Sequence, residues 1–151
     1  EATFGYVEGV AAWGENAIRG VEVTPKTIPF MEKYYELTGE SATGHLACDS
    51  MYMLKEAIER AGTLDPDVLV TELEKTDYVG VDGRYVFFPP GHKWVHDIKW
   101  GPGYITRSGM QWQEGKLRMV WPPPDGSWEG VVFKGTTEYK LPPWVVEYWK
   151  K

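Results

Sequence analysis

Apolar residues recur at helical spacing in the first half of the chain, between residues that start and stop helices. The pattern predicts a helix over residues 27–39, in which the Thr27 hydroxyl caps free amides and Gly39 stops the last turn. A longer helix is predicted over residues 41–61. A short one follows over residues 65–75, where a capping aspartate precedes a proline.

The predicted long helix has two faces that differ in polarity. The face expected to be buried carries mainly small and apolar side chains: Ala47, Ser50, Leu54, Ala57, Ile58 and Ala61. The opposite face carries polar and aromatic side chains: His45, Asp49, Tyr52, Glu56 and Glu59. This spacing predicts that Asp49 lies away from the core.

In the second half of the chain, glycines and prolines separate short runs of apolar and aromatic residues, which is typical of strands joined by turns. A strand is predicted over residues 84–88, and a hairpin over residues 111–120 around a glycine turn. The apolar run over residues 4–13 is typical of a buried strand. A further strand near Val131 and a short Trp-rich helix after Pro143 complete the pattern. The fold class predicted is α/β, with a β-rich C-terminal part.

Composition and charge narrow the function classes. A length of 151 residues suits about one domain. A net charge of −6, without clustered Lys and Arg, argues against a nucleic-acid partner. No stretch reaches the roughly 20 apolar residues that cross a bilayer, and residues 1–20 lack the layout of a signal peptide. If the protein is exported, its signal is expected to lie upstream of this chain.

Four segments in a fixed order carry a resemblance to a known family. They are residues 29–39 (PFMEKYYELTG), residues 47–50 (ACDS) with 54–62 (LKEAIERAG), residues 78–83 (YVGVDG) with Phe87-Phe88, and residues 111–116 (QWQEGK) with Val120-Trp121-Pro122. In this order they resemble the C-terminal region of type I periplasmic binding proteins, the receptor family for branched-chain amino acids.

The resemblance implies a fragment of a two-lobed receptor that closes on a small polar solute such as an amino acid. Residues 1–124 are expected to supply parts of both lobes, and residues 125–151 a C-terminal extension. The implied partners are the solute, the missing N-terminal part of the receptor and the membrane permease of an ABC transporter. The implied location is periplasmic or extracellular, with a possible membrane anchor upstream. Neither catalysis nor a cofactor is implied.

The resemblance also indicates ligand-binding residues. The family usually has Tyr-Asp-Ala at the start of the long helix, with the tyrosine meeting the ligand. Here the matching run is Cys48-Asp49-Ser50, so a thiol replaces the tyrosine ring and hydroxyl. Asp49 keeps its place, where it receives an ammonium group or holds a neighbouring loop. Trp13 follows a predicted strand, and ligands of open α/β sheets gather beyond strand ends. Cys48, Asp49 and Trp13 are therefore the predicted ligand-binding residues.

Several alternatives stay open from the residues alone. A sensor domain of the same fold would pass its closure to a signalling partner. A small hydrolase would use His92, His96 and Asp97 for acid–base chemistry. A zinc site would use His45, Cys48 and Asp49, although no second matching pair of ligands accompanies them. The tryptophans of the second half would form a sugar-binding platform or, more simply, cover a sheet. A structural half-domain would pair with another chain through its Trp-rich tail.

Overall fold

The computed structural model describes residues 6–9, 20–40, 45–106 and 108–150, with only the backbone described at residues 6–9 and 45. These described residues form four helices and five strands. They divide into two compact units. One comprises Val23–Thr106, and the other comprises the described parts of Glu1–Glu22 and Arg107–Lys151.

Three helices belong to the unit Val23–Thr106, and all three were predicted. They are α1 (Thr27–Thr38), α2 (His45–Ala61) and α3 (Pro66–Leu73). Gly39 ends α1 in the left-handed conformation, with φ of 74°, and its N–H donates to the Tyr35 carbonyl at 2.8 Å. Asp65 caps α3, since its Oδ1 accepts from the N–H groups of Asp67 and Val68. These stop and start signals act locally, which is why the sequence reveals them.

The predicted capping role of the Thr27 hydroxyl is wrong. Lys26 occupies the N-cap position of α1 and makes no side-chain capping bond. Thr27 is fully buried, and its hydroxyl donates to the Val81 carbonyl at 2.7 Å while accepting from the Thr24 N–H at 2.9 Å. A buried hydroxyl needs a partner, and here a distant turn supplies it.

A two-stranded antiparallel sheet completes this unit. Strand β2 (Asp77–Val79) pairs with β3 (Arg84–Val86). The strand predicted over residues 84–88 therefore ends at Val86, and Phe87 adds a single bridge to Ile98. The core of the unit contains an apolar cluster, with two partly buried residues packed against it: Met53, Tyr78, Tyr85, Ile98 and Ile105.

The turn between β2 and β3 is fixed by side chains from the loop before α1, from α1 itself and from α2. The Thr24 hydroxyl donates to the Gly80 carbonyl at 2.7 Å, next to the bond that Thr27 makes to Val81. From α2, the Asp49 carboxylate accepts from the Val81 N–H at 2.8 Å. A Cβ atom at position 80 would lie 2.2 Å from Asp49 Oδ2. Glycine is therefore required by the close approach of a carboxylate to the backbone.

The second unit contains a three-stranded antiparallel sheet in the order β1-β4-β5. Its strands are β1 (Tyr6–Gly9), β4 (Ser108–Gln113) and β5 (Lys116–Trp121). The predicted hairpin is confirmed. The positive φ angles of its two turn residues, 53° at Glu114 and 72° at Gly115, are those of the turn that matches strand twist. Only Tyr6–Gly9 of the strand predicted over residues 4–13 is described.

Two buried glutamines of β4 join the later part of the chain to this sheet. Gln111 donates to the Lys140 carbonyl at 2.6 Å and accepts from the Lys140 N–H at 3.0 Å. Gln113 donates to the Glu138 carbonyl at 2.8 Å. Both side chains are buried, so they satisfy backbone groups of an irregular segment that has no ladder of its own.

The end of the chain was predicted in part. The Trp-rich helix after Pro143 is confirmed as α4 (Pro143–Trp149). The strand predicted near Val131 is wrong, because residues 131–133 have no strand geometry and a single bridge joins Glu22 to Lys134. A division of the receptor fold at residue 124 stays a prediction.

We expect Gly80→Ala to lower the free energy of unfolding by about 2 kcal/mol or more, because the added methyl group would overpack against the Asp49 carboxylate. Gly20→Ala is the matched control. A Cβ at Gly20 meets no atom of the described residues within 4 Å, and its backbone is not in the left-handed region. Chemical denaturation followed by circular dichroism measures both variants. Equal stability of the two would show that Asp49 does not occupy the space beside Gly80.

Candidate functional site

Asp49 lies on the buried face of α2, contrary to the sequence prediction. Its exposed fraction is 1%, and Met53 and Ala57, one and two turns further along, are buried with it. Ala47 and Ser50, which were predicted to be buried, are exposed. The true core-facing stripe of α2 therefore runs through a carboxylate, which a polarity pattern cannot identify.

The Asp49 carboxylate is held by two donors from the β2–β3 region. Its Oδ2 atom accepts from the Val81 N–H at 2.8 Å and from the Tyr85 hydroxyl at 2.9 Å. Buried carboxylates are tolerated when donors of this kind replace the lost water. Of the two roles anticipated for Asp49, the geometry provides the holding of a neighbouring loop.

The electrostatic surroundings of Asp49 oppose its ionisation. Burial is the largest effect and raises its pKa, and the nearby negative charge of Asp82 adds to the rise. The hydrogen bonds from Val81 and Tyr85 act in the other direction, but the pKa remains raised. Burial also raises the pKa of the Tyr85 phenol. At neutral pH the hydroxyl therefore keeps its proton and donates a hydrogen bond to the carboxylate.

Cys48 precedes Asp49 on α2 and is partly buried. Burial raises the pKa of its thiol, and the adjacent Asp49 charge raises it further. A thiol with a raised pKa is a weak nucleophile at neutral pH. Cys48 is therefore suited to packing or to weak polar contact with a ligand. Its place in a ligand site stays a prediction, and Trp13 lies outside the described residues.

A cavity of about 190 Å³ lies elsewhere in the unit Val23–Thr106. It is lined by three apolar residues and one hydrogen-bonded polar pair: Val70, Leu73, Phe87, Glu74 and His96. In the pair, His96 Nε2 lies 2.9 Å from Glu74 Oε1. Of these lining residues, sequence analysis singled out only His96 as a candidate functional residue. The others could not be found, because the C-terminal end of α3 and the loop after β3 come together only on folding.

The hydrolase hypothesis named His92, His96 and Asp97, and the structure gives each of them a separate partner. His96 pairs with Glu74, while Asp97 accepts from the Ile98 N–H at 2.8 Å. His92 stacks on the Phe88 ring, with centroids 4.3 Å apart, and its Nδ1 accepts from the Trp94 N–H. His96 and Asp97 therefore do not pair with each other, since each is engaged with another residue.

Within the described part of the chain, no three or more His, Cys, Asp or Glu side chains are grouped so that they could hold a metal ion. The His45 side chain, one member of the zinc hypothesis, is not among those described. None of the described helices has the length and apolar character needed to span a membrane.

Unfolding as a function of pH tests the position of Asp49. Its pKa is raised in the folded protein, so the folded state binds its proton more tightly than the unfolded chain does. Stability is therefore lost as the pH rises from about 4 through the raised pKa. The stability of the wild type relative to Asp49→Asn should fall over this interval, as measured by urea denaturation.

Asp77→Asn is a control of opposite sign. The Arg84 guanidinium, with Nε 2.6 Å from Asp77 Oδ1, lowers the pKa of this carboxyl. The wild type should then gain stability relative to Asp77→Asn as the pH rises through about 4. The same sign for both variants would contradict the electrostatic account of Asp49.

A comparison with solved structures finds a likeness to the leucine-binding protein LivK from Thermotoga maritima, with a TM-score of 0.49 and 21% sequence identity. The match covers 79% of this chain and 31% of that chain, so this chain spans less than a third of that protein. No protein-family model matches the chain, and no curated protein matches it. The likeness is to part of a leucine-binding protein, the class of receptor that the four sequence segments resemble, and at this level it carries no argument about function.

Proposed function

We propose that this chain is part of the substrate-binding component of an ABC transporter. The receptor binds a small polar solute, such as an amino acid or a related compound, between two lobes that close on it. It then delivers the solute to a membrane permease. It works at a periplasmic or extracellular location, together with the remainder of the receptor, and breaks no bond.

The observation that carries the proposal is the set of contacts around Asp49. The four segments that resemble the receptor family are separate in sequence, and the second and third meet where Asp49 accepts from the Val81 N–H. Thr27, two residues before the first segment, donates to the Val81 carbonyl. Separate segments that pack through buried polar bonds support the resemblance as one of fold, beyond a chance similarity of short motifs.

Lobe closure explains how such a receptor acts without chemistry. A ligand that touches both lobes favours the closed state by its differential affinity for it. In this proposal Asp49 acts on the site indirectly, because it is buried and fixes the 80–82 turn, and the adjacent Cys48 contacts the ligand. Trp13 provides an apolar wall. A thiol at position 48 leaves more room than the tyrosine usual in the family, which favours a ligand other than a branched-chain amino acid.

Native mass spectrometry and thermal denaturation together test the proposal. Mass spectrometry of the purified protein shows whether the 17.2 kDa chain travels with a larger fragment. Denaturation of that species is then followed with each amino acid and with small polar amides. A ligand at 100 times its Kd stabilises by about 2.7 kcal/mol, which raises the midpoint by roughly 5–10 °C.

Two outcomes would reject the proposal. The first is an unchanged midpoint with every ligand of the panel. The second is turnover of an ester or amide substrate that disappears in His96→Ala, which would support the hydrolase alternative. A single ligand class that raises the midpoint, without turnover, is the expected result.

Cys48→Tyr tests the site within this proposal. The substitution restores the ring and hydroxyl that the family usually has at this position, so the affinity for the best ligand should change at least tenfold. Cys48→Ser, which keeps the size of the side chain, should change it less than threefold. Calorimetric titration measures both, with circular dichroism as the test of folding. Wild-type affinity in both variants would place Cys48 outside the ligand site.

A further inference from the structure

The cavity beside the C-terminal end of α3 has the features of a second binding site, and neither Cys48 nor Asp49 is among its lining residues. We propose that it binds a small organic ammonium ion, in which an apolar body is joined to a positively charged nitrogen. Three features carry this inference: the apolar walls of the cavity, the negative charge of Glu74 at one end, and the backbone conformation of His96, which lines the cavity.

The walls suit an apolar group about the size of a phenyl ring. Val70, Leu73 and Phe87 line a space of about 190 Å³. An apolar cavity of roughly 150 Å³ is large enough to hold benzene. Val70 is 45% exposed, so the space is open to an entering molecule on that side.

The polar end of the cavity is negative. The Glu74 side chain is only 18% exposed, and among the described residues its hydrogen-bond partner is His96, through Oε1. Oε2 is left to accept from a donor on a ligand. Glu74 is also the C-cap residue of α3, and the end of a helix carries a partial negative charge. Both effects favour a cation.

The basic side chains near the C-terminal end of α3 are paired with a carboxylate other than Glu74. Helix α3, which is described throughout, has no basic residue in its last turn. Lys75 follows Glu74 in sequence, but its Nζ lies 2.5 Å from Glu72 Oε1. Arg60 also contacts Glu72, with Nε at 3.4 Å from Oε2. Among the described residues Glu74 therefore has no Lys or Arg partner, and beside a neutral His96 its charge is available to a ligand nitrogen.

His96 lines the cavity in an uncommon backbone conformation. Its φ of 69° is in the left-handed region, which costs free energy for a residue with a Cβ atom. The imidazole is 61% exposed, so most of its surface remains open to solvent while its Nε2 contacts Glu74 Oε1. Such strained residues concentrate at binding sites, where the surrounding structure holds them.

The charge at the polar end predicts a clear order of ligands. Benzylamine should bind best, because its ring contacts the apolar walls and its ammonium group meets Glu74. Benzyl alcohol has the same shape without the charge, so it should bind about tenfold more weakly. Phenylalanine carries an additional carboxylate, which Glu74 repels, and it should bind more weakly than benzylamine as well. This order differs from that of an amino-acid receptor.

Methyl-detected NMR titration of the chain with the three compounds tests the site directly. Benzylamine should shift the methyl resonances of Val70 and Leu73 with a millimolar Kd. Glu74→Gln keeps the size of the side chain and removes its charge, so it should weaken benzylamine at least tenfold and change benzyl alcohol less than twofold. Glu59→Gln is the matched control, because Glu59 is also a paired carboxylate, 2.7 Å from Lys55 Nζ, but does not line the cavity.

A cavity-filling variant makes the test independent of Glu74. Val70→Phe should prevent binding of both benzylamine and benzyl alcohol, and circular dichroism shows whether each variant is folded. Three results would each overturn the proposal. The first is the absence of a saturable shift of the methyl resonances at benzylamine concentrations up to about 50 times the expected millimolar Kd. The others are equal weakening of benzylamine binding by Glu74→Gln and Glu59→Gln, and unchanged binding in folded Val70→Phe. Because phenylalanine is the weak ligand here, failure of this site is distinguishable from failure of the amino-acid receptor function.

Discussion

The structure of residues 23–106 depends on the buried carboxylate of Asp49. Asp49 is 1% exposed and accepts hydrogen bonds from Val81 and Tyr85, so a helix and a two-stranded sheet meet at a polar contact inside the core. A buried carboxylate without donors would be strongly destabilising, so these partners are required for the arrangement to exist. The contact also forbids a Cβ at Gly80.

The same contact gives the core a specificity that apolar packing does not provide. Met53, Tyr78 and Tyr85 are apolar in the parts that pack, and such surfaces tolerate shifts against one another. Asp49 bonds to the turn between β2 and β3, and Thr24 and Thr27 bond to carbonyls of the same turn. Together these bonds fix the position of the turn relative to α1 and α2. The contact has an electrostatic cost, because burial and the nearby Asp82 charge raise the pKa of Asp49 despite the hydrogen bonds from its donors.

The sequence predicted the elements whose signals are local. The helix end at Gly39, the cap at Asp65 and the hairpin turn at Gly115 depend on one residue and its neighbours, and all three are confirmed. The failures involve partners distant in sequence. Nothing within a helical turn of Asp49 indicates that it is buried, because its donors are more than 30 residues away. Likewise His96 pairs with Glu74, 22 residues earlier, and not with the adjacent Asp97.

Two carboxylates of one unit illustrate how burial and partners decide what a residue can do. Asp49 has Val81 and Tyr85 as donors to the same oxygen and is closed off from solvent, so its negative charge acts on the protein itself. Glu74 is partly exposed, lines an open apolar space and has His96 on one oxygen, so its other oxygen is left to accept from a ligand. In sequence both are acidic residues on or at the end of a helix. Only the folded surroundings separate a carboxylate that holds a loop from one that is placed to meet a ligand.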